Sequence, residues 1–351
     1  MDMSRVDRGA ARRPRLEDVA ARVGMSPASV SMVLSGAPGP SAATRERVLE
    51  AAAELGYRPD RTASLLARRR THLVGVLLQA GSPFHAQLVE DIYEAAEGRG
   101  YDVVLSAVTR TREERRATET LVDFRCEALV LLGPVAPAAQ LAALARQLPV
   151  VVIGRRVAGA GVDVVRSADA QGVGQAVDHL AGLGHHAIAY VDGGRGPIAA
   201  DRRRGYRTAM RRHRLADHAR VIPGDHTEAA GLRAARTLLA EGRDGLPTAV
   251  VAFNDQCAVG LLDAFNRAGV AVPGEVSVVG YDDSSLSRLA HVDLTTVSQD
   301  ARRQAEHAVA AATERLDGGR SEPREVVLAP HLVVRGTSGP ARSPAQARGT
   351  A

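Results

Sequence analysis

The chain has 351 residues, 45% of them hydrophobic and 24% charged, enough for two to three globular domains with a sizeable core. No run approaches the ~20 apolar residues of a membrane span, and no apolar stretch follows the Arg-rich N-terminus, so neither a membrane segment nor a secretory leader is expected. Residues 1–71 carry 13 arginines against 8 acidic residues and the remainder 32 against 32, which places the whole net charge of +5 in the first fifth of the chain. A basic module on a neutral body is the electrostatic footprint of a nucleic-acid binder. There is no lysine; frequent Ala, Gly and Arg suggest that genomic base composition chose arginine, though not where the excess lies. Cys126 and Cys257 lie far apart, each close to an apolar run, and read as buried thiols in a reducing compartment. No metal-type spacing is visible, so neither metal nor cofactor is expected.

Residues 1–14 are polar, Arg-rich and punctuated by Gly and Pro, and are expected to form a disordered basic arm. Leu16, Val19, Ala20 and Val23 then repeat at helical spacing, and Gly24 ends that helix. Ser26 is placed to cap a second helix through Leu34, with Pro27 at the first helical position, where its missing N–H costs nothing. Two helices joined by about four residues containing Gly form a helix-turn-helix unit. On the second helix Val30, Val33 and Leu34 can face a core, while Ala28, Ser29, Ser31 and Met32 can face outward. The outward set is small enough to enter a DNA groove. A third helix starts near Ser41, carries Val48, Ala52 and Leu55 on one face, and stops at Gly56. Residues 59–71 read as a linker in which Arg61–Ala67 can form two helical turns. So short a helix is marginal alone.

From Leu73 the pattern changes. Strand-length apolar runs occur at Leu73–Leu78, Val103–Leu105, Ala128–Leu132, Val150–Ile153, Ile188–Val191, Ala249–Ala252 and Val276–Val279. Amphipathic stretches such as Gln87–Gly98, Glu113–Phe124, Gly174–Gly182, Ala229–Ala240 and Ala258–Ala268 fill the gaps. That is repeated βαβ, hence parallel sheets buried on both faces, and about 270 residues is long for one such sheet, so two lobes are expected. Residues 339–351 are Ala, Gly, Pro, Ser and Arg-rich, without heptads, and read as a disordered tail.

The N-terminal region resembles the head of the LacI/GalR family of bacterial transcription regulators. The matching residues are Leu16 to Ala20, Gly24-Met25-Ser26, Val30-Ser31, Val33 to Gly36, Thr44-Arg45, Val48, Leu55 to Pro59 and Ala63 to Leu66, in order and spacing over roughly fifty residues. The resemblance implies an all-α helix-turn-helix DNA-binding head at 15–58, a hinge at 59–71, and an effector-binding and dimerisation domain at 72–338. That domain would be α/β with the two-lobed periplasmic-binding-protein fold, the chain crossing between lobes three times. Lobe 1 would hold about 72–166 and 298–327, lobe 2 about 167–297 and 328–338.

It implies that Pro27, Ala28 and Met32 read base edges, with Ser26, Ser29 and Ser31 on phosphates, which fix register rather than sequence. Met32 departs from the family, where Arg or another polar residue is usual. Met cannot pair bidentately with guanine, so an apolar contact, for instance to thymine methyls, is expected there. The alternative is that Met32 packs on the head's own core. The resemblance also implies that Leu66, with Ala63 beside it, wedges into a minor-groove step at the centre of a palindrome. The alternative for Leu65 and Leu66 is packing on the sensor. Asp60 stands where relatives usually have Asn.

In the sensor, Arg202 opens Arg-Arg-Arg-Gly-Tyr, matching the family's Arg-x-x-Gly-aromatic signature at Gly205 and Tyr206. By resemblance Arg202, Asn254 and Asp282 would hydrogen-bond the effector, at a cleft lined by loops after strand ends. Phe84, after the first sensor strand, could stack on a sugar or base. Asp255 and Asp283 are read as helix caps, His185 and His186 as structural, and Arg203 and Arg204 as a solvated face. Arg155 and Arg156 could reach the cleft or lie outside it. A sugar is the leading effector, a purine or another small metabolite the alternative.

The expected protein is a cytoplasmic, ligand-responsive regulator, most often a repressor, binding a double-stranded DNA operator as a homodimer. An enzyme is disfavoured, since no Walker loop, nucleophile elbow or dinucleotide fingerprint is present. An exported solute-binding protein would explain the sensor and leave the head unexplained.

Overall fold

The computed structural model describes residues 14–34, 38–57 and 70–342. They fall into two compact units, one ending at Thr71 and the other starting at His72. The arm up to residue 13, the hinge residues 58–69 (with Asp60, Ala63, Leu65 and Leu66) and residues 343–351 lie outside the described residues.

The first unit is three helices: α1 (Leu16–Val23), α2 (Pro27–Leu34) and α3 (Ala42–Glu54). Gly24 ends α1 in the left-handed conformation at φ +66°, which only glycine adopts without strain. Ser26 Oγ accepts the Ser29 N–H at 3.1 Å and Ser41 Oγ accepts the Thr44 N–H at 3.2 Å, so both caps act as hydroxyl acceptors. Val19, Val30, Val33 and Val48 are buried between the helices. Each such side chain contributes roughly 1.5–3 kcal/mol of apolar burial. Arg47 donates to the Val23 carbonyl at 3.0 Å, tying α3 to the end of α1.

The second unit contains two six-stranded sheets. In the first, β1 (Leu73–Gln79), β2 (Asp102–Val108), β3 (Ala128–Leu132), β4 (Val150–Ile153), β5 (Asp163–Ser167) and β11 (Glu325–Leu328) run parallel in the order β11-β5-β4-β3-β1-β2. The second holds β6 (Ile188–Val191), β7 (Arg220–Ile222), β8 (Ala249–Ala252), β9 (Ser277–Asp282), β10 (Thr295–Ser298) and β12 (His331–Val333), ordered β12-β10-β9-β8-β6-β7. Only β12 is antiparallel, to β10.

Helices cover both faces of each sheet. On the first, α4 (Pro83–Glu97) and α11 (Ala301–Asp317) pack on one face through Leu88, Ile92, Ala308 and Val309, and α5 (Glu114–Asp123) and α6 (Ala138–Ala145) on the other. On the second, α7 (Asp169–Gly182) and α8 (Pro197–Arg212) share one core with Tyr190 and Val251, and α9 (Glu228–Leu239) and α10 (Asp255–Arg267) share the other with Val250. The strands were legible as apolar runs because both of their faces are buried.

The chain passes between the sheets three times: from β5 into α7, from β10 into α11, and from β11 to β12. The first and third crossovers are joined by the Ala168 N–H, which donates to the Leu328 carbonyl at 3.0 Å.

Five strands escaped the apolar pattern: β5, β7, β10, β11 and β12. The clearest reason is at β10, Thr-Thr-Val-Ser, whose four residues are all buried. The Thr295 hydroxyl donates to the Arg335 carbonyl at 3.0 Å and that of Thr296 to Asp255, so a hydroxyl-rich strand can sit inside. Some helices also begin earlier than expected, among them α4 at Pro83, α7 at Asp169 and α10 at Asp255. The tail expectation is corrected for residues 339–342: the Gly339 carbonyl accepts from the His185 ring at 2.9 Å and the Ala341 N–H donates to Leu183 at 3.0 Å. Both cysteines are free and buried. No helix among the described residues is long and apolar enough to cross a membrane.

Candidate functional site

On α2 the residues divide as the stripe requires. Val30 and Val33 are buried, while Ser26, Pro27, Ala28, Ser31 and Met32 are exposed and Ser29 is half-buried. Met32 is 46% exposed, which removes the alternative that it packs inside the head. Ser26 Oγ also lies 2.8 Å from Ser29 Oγ, so these two hydroxyls start out bonded to each other. α2 therefore presents small side chains on its first turn and one flexible thioether, Met32, on its second, the form needed to approach a groove closely.

The second site lies at the carboxyl ends of the sensor strands. Arg202, on the second turn of α8, is 4% exposed. Its Nε donates to Asp169 Oδ1 at 2.8 Å and its Nη1 to the Phe253 carbonyl at 2.7 Å. Nη2 stands 3.8 Å from Asp282 Oδ1, an ion pair without direct hydrogen-bond contact. The guanidinium lies 3.6 Å over the Tyr281 ring centroid and 4.7 Å from that of Phe253.

Gly205 explains how Arg202 reaches Asp169. A Cβ on Gly205 would lie 2.4 Å from the Ala170 carbonyl oxygen, so only glycine lets α8 close onto the start of α7. Tyr206 anchors the same helix, donating to the Ile188 carbonyl at 2.7 Å and accepting from the Arg220 N–H at 2.8 Å. The Arg-x-x-Gly-aromatic pattern is thus one packing device that delivers one cation.

Asp282 ends β9 with φ +125° and Asp283 follows at +52°, two successive non-glycine residues in strained backbone. Gln299, just past β10, donates to Asp282 Oδ1 at 2.7 Å. From the first lobe, His85 Nδ1 accepts the Gln79 N–H at 3.0 Å, which leaves the proton of the neutral ring on Nε2, facing Gly133. Burial first, and His226 second, lower the His85 pKa to about 4, so it stays neutral at physiological pH. His226 packs edge-on to Phe253, centroids 4.6 Å apart. The lobes meet where a Cβ on Gly154 would lie 3.5 Å from Ile198 Cδ1.

The charges are unequal. Burial alone would depress the Arg202 pKa, but Asp169, Tyr281 and Asp282 hold it above its ordinary value, so the cation persists. Burial raises the carboxyl pKa of Asp169 despite Arg202, and raises that of Asp282 well above the usual range, with Asp255 adding to the rise. One buried cation thus faces more buried carboxyl groups than it can neutralise. Such a site takes up protons or hydroxyl donors.

Several expectations are corrected. Asp255 is not a cap: it is fully buried and its carboxylate accepts from the Ser284 N–H at 2.7 Å, the Ser284 hydroxyl at 2.9 Å and the Thr296 hydroxyl. The cap of α10 is Asn254, whose Oδ1 accepts the Cys257 N–H at 2.8 Å while its Nδ2 donates to the His226 carbonyl at 3.1 Å. Asn254 is therefore occupied on both sides of its amide. Asp283 instead accepts from the Ser287 hydroxyl and Arg335, at 3.2 and 2.6 Å. Phe84 is 8% exposed within the first-lobe core and offers no open stacking face. Arg203 pairs with half-buried contact to Asp192, whereas Arg204 is exposed beside Asp201. Arg155 donates to the Ala136 carbonyl and Arg156 is exposed.

Burial raises the Asp255 pKa from 3.8 to about 6. A carboxyl whose folded pKa is raised stabilises the protein while protonated, and that share is lost as pH rises through the folded value. Sensor stability should therefore fall between about pH 4 and 6 by up to about 3 kcal/mol on account of Asp255. Asp255→Asn should flatten that fall, read by urea unfolding from pH 4.5 to 7.5. An unchanged slope would remove Asp255 as its source.

Asp169, His85, His226, Phe253, Tyr281 and Gln299 were not picked out from sequence. None has a local motif, and only the fold brings such distant parts of the chain to one place. A groove of about 840 Å³ between α5 and α6, lined by Val122, Leu141 and Leu144, contains none of these groups.

Comparison with known proteins gives a consistent picture. Residues 15–60 match the model described as bacterial regulatory proteins, lacI family, and residues 177–338 match a periplasmic binding protein-like domain. The chain is 34% identical over 331 residues to the HTH-type transcriptional regulator GalR of Salmonella typhimurium, covering 91% of this chain and 94% of GalR. Among solved structures it is similar to the Lac repressor dimer bound to operator and the anti-inducer ONPF, with TM-score 0.79, 29% identity and coverage of 93% and 100%. It is also similar to the transcriptional regulator CelR–cellobiose complex, with TM-score 0.66, 30% identity and coverage of 93% and 100%.

Proposed function

The chain belongs to the LacI/GalR family of bacterial transcriptional regulators, and from that premise we propose that it is a repressor whose operator binding is controlled by a small polyhydroxylated metabolite, most simply a sugar. The observation that carries the effector class is the Arg202 cluster. A sugar hydroxyl can donate to an under-neutralised carboxylate such as Asp282 and accept from Arg202 Nη2 or His85 Nε2. The cellobiose held by CelR supports the same class.

The operator is a near-palindrome read by a homodimer, since two heads related by a two-fold axis meet two half-sites. The operator-bound dimer of the Lac repressor supports this reading. Pro27, Ala28 and Met32 read bases, and Ser26, Ser29 and Ser31 hold phosphates. Ala63 and Leu66 enter the minor groove. Effector and operator affinities are then coupled reciprocally through two states of the sensor. Such a protein works in the cytoplasm, beside the chromosome. Its binding weakens steeply with salt, because arginines displace phosphate counterions.

Selection of genomic fragments by the purified full-length protein at moderate salt tests this. One palindromic motif is expected, and genes beside it nominate sugars for titration. Salt-sensitive binding with no motif, both alone and with a metabolite pool added, would overturn the proposal.

A further inference from the structure

A glutamine sits where α11 should be apolar. Gln304 is 0% exposed, beside Ala301, Ala305, Ala308 and Val309 on the face of α11 that packs on the first sheet. Its Nε2 donates to the Gln299 carbonyl at 2.8 Å and to Ser167 Oγ at 3.3 Å. Its Oε1 has no hydrogen-bond partner among the described residues. A buried amide with an orphaned acceptor is a poor choice for packing alone, because burial of an unpaired polar atom is unfavourable.

What the amide touches explains its presence. Gln299 lies on the second crossover and its side chain holds Asp282 at 2.7 Å. Ser167 ends β5 at the first crossover, two residues before Asp169, and its hydroxyl also donates to the Gln299 carbonyl at 3.4 Å. Asp169 holds Arg202 at 2.8 Å, and Arg202 faces Asp282 at 3.8 Å. These contacts close a circuit: Gln304, Gln299, Asp282, Arg202, Asp169, Ser167 and back to Gln304. The third crossover joins it through the Ala168 N–H on Leu328.

We propose that Gln304 is a positioning residue for the effector site: it pins the first and second crossovers to each other, and so holds Asp169 and Asp282 on either side of Arg202. It touches no effector itself. A polar tie is suited to this because hydrogen bonds specify one arrangement of the strands, whereas apolar contacts tolerate sliding. The word effector rests on the function proposed above, but the geometric claim does not.

The test is amide hydrogen exchange on the full-length chain, without effector or operator. A wrong effector class therefore leaves its outcome unchanged, and the two failures are distinguishable. In Gln304→Met, which keeps volume and removes the amide, exchange should quicken about tenfold at residues 168–169 and 299–301 and also at Asp283, beyond Asp282. The amides of β3 and β8 should be unaltered. Acceleration confined to the first turn of α11, or spread evenly over the unit, would overturn the proposal, since either is what a merely structural residue produces. Ser167→Ala removes the two long hydroxyl bonds, from Gln304 and to the Gln299 carbonyl, with little change of volume, and covers the case in which Gln304→Met does not fold. It should show the same pattern at about threefold; an unaltered Asp283 in that variant overturns the proposal equally.

Discussion

Arg202→Ala should abolish the effector response while leaving operator binding intact at a pH where the sensor stays folded. Nε and Nη1 of the guanidinium are committed to Asp169 and the Phe253 carbonyl, which aims Nη2 at Asp282, 3.8 Å away, and leaves it able to donate to an effector. The substitution strands Asp169 and Asp282 inside the protein. Breaking a buried pair costs about 3–5 kcal/mol, here reduced by proton uptake on the carboxyl groups. Their pKa values, already raised by burial, rise further without the cation. Stability retained through protonation is lost as pH increases through those raised values. The melting temperature of the variant should thus fall progressively further below that of the wild type between pH 5 and pH 8. Calorimetry across that range, with effector titration at the acid end, reads both parts. An unaltered response would remove Arg202 from the site. A loss of operator binding in a folded variant would make its role structural. Arg202→Lys keeps the charge and loses the fork, so it should restore stability more than response.

The second large effect is expected at the hinge. Leu66→Ala should weaken specific operator binding about 30- to 100-fold and nonspecific binding by no more than about threefold. Those figures follow from losing an apolar wedge whose insertion unstacks a base step, roughly 2–3 kcal/mol. Nonspecific binding rests on arginine–phosphate contacts and does not use the wedge. Competition titrations with operator and scrambled duplexes at one fixed salt concentration measure the two together. Equal losses on both would sink the wedge role and favour packing of Leu66 on the sensor.

Local chemistry was legible in the residues themselves. The Gly24 stop, the Ser26 and Ser41 caps and the Val30–Val33 stripe each depend on neighbours within a few positions, and each stands as its residue type demands. The central strands were equally plain, because a strand buried on both faces must be apolar throughout. The same logic failed at Asp255. A carboxylate three residues past a strand and opening a helix reads as a cap, but Asn254 had already taken the free N–H of Cys257. Asp255 could then turn inward, toward Ser284 and Thr296, which come from segments 29 and 41 residues away. Phe84 misled for the opposite reason: an aromatic ring after a strand can face a cleft or a core, and its 8% exposure decides for the core.

By itself, then, the sequence made legible the three-helix head, the sheet-forming segments and the location of positive charge, and the family resemblance pointed to Arg202 with its Gly205 and Tyr206. All of these are set by periodicity, by composition or by a motif within one helix. The tertiary structure alone decided which acceptors Arg202 meets, that the His226 ring packs on Phe253 beside it, and that Gln304 ties two crossovers together. The Arg202 hydrogen bonds and the Gln304–Ser167 bond join residues from 33 to 137 positions apart. Nothing in either partner's neighbourhood encodes them, because a hydrogen bond across crossovers exists only after two sheets have packed and brought their strand ends to one place.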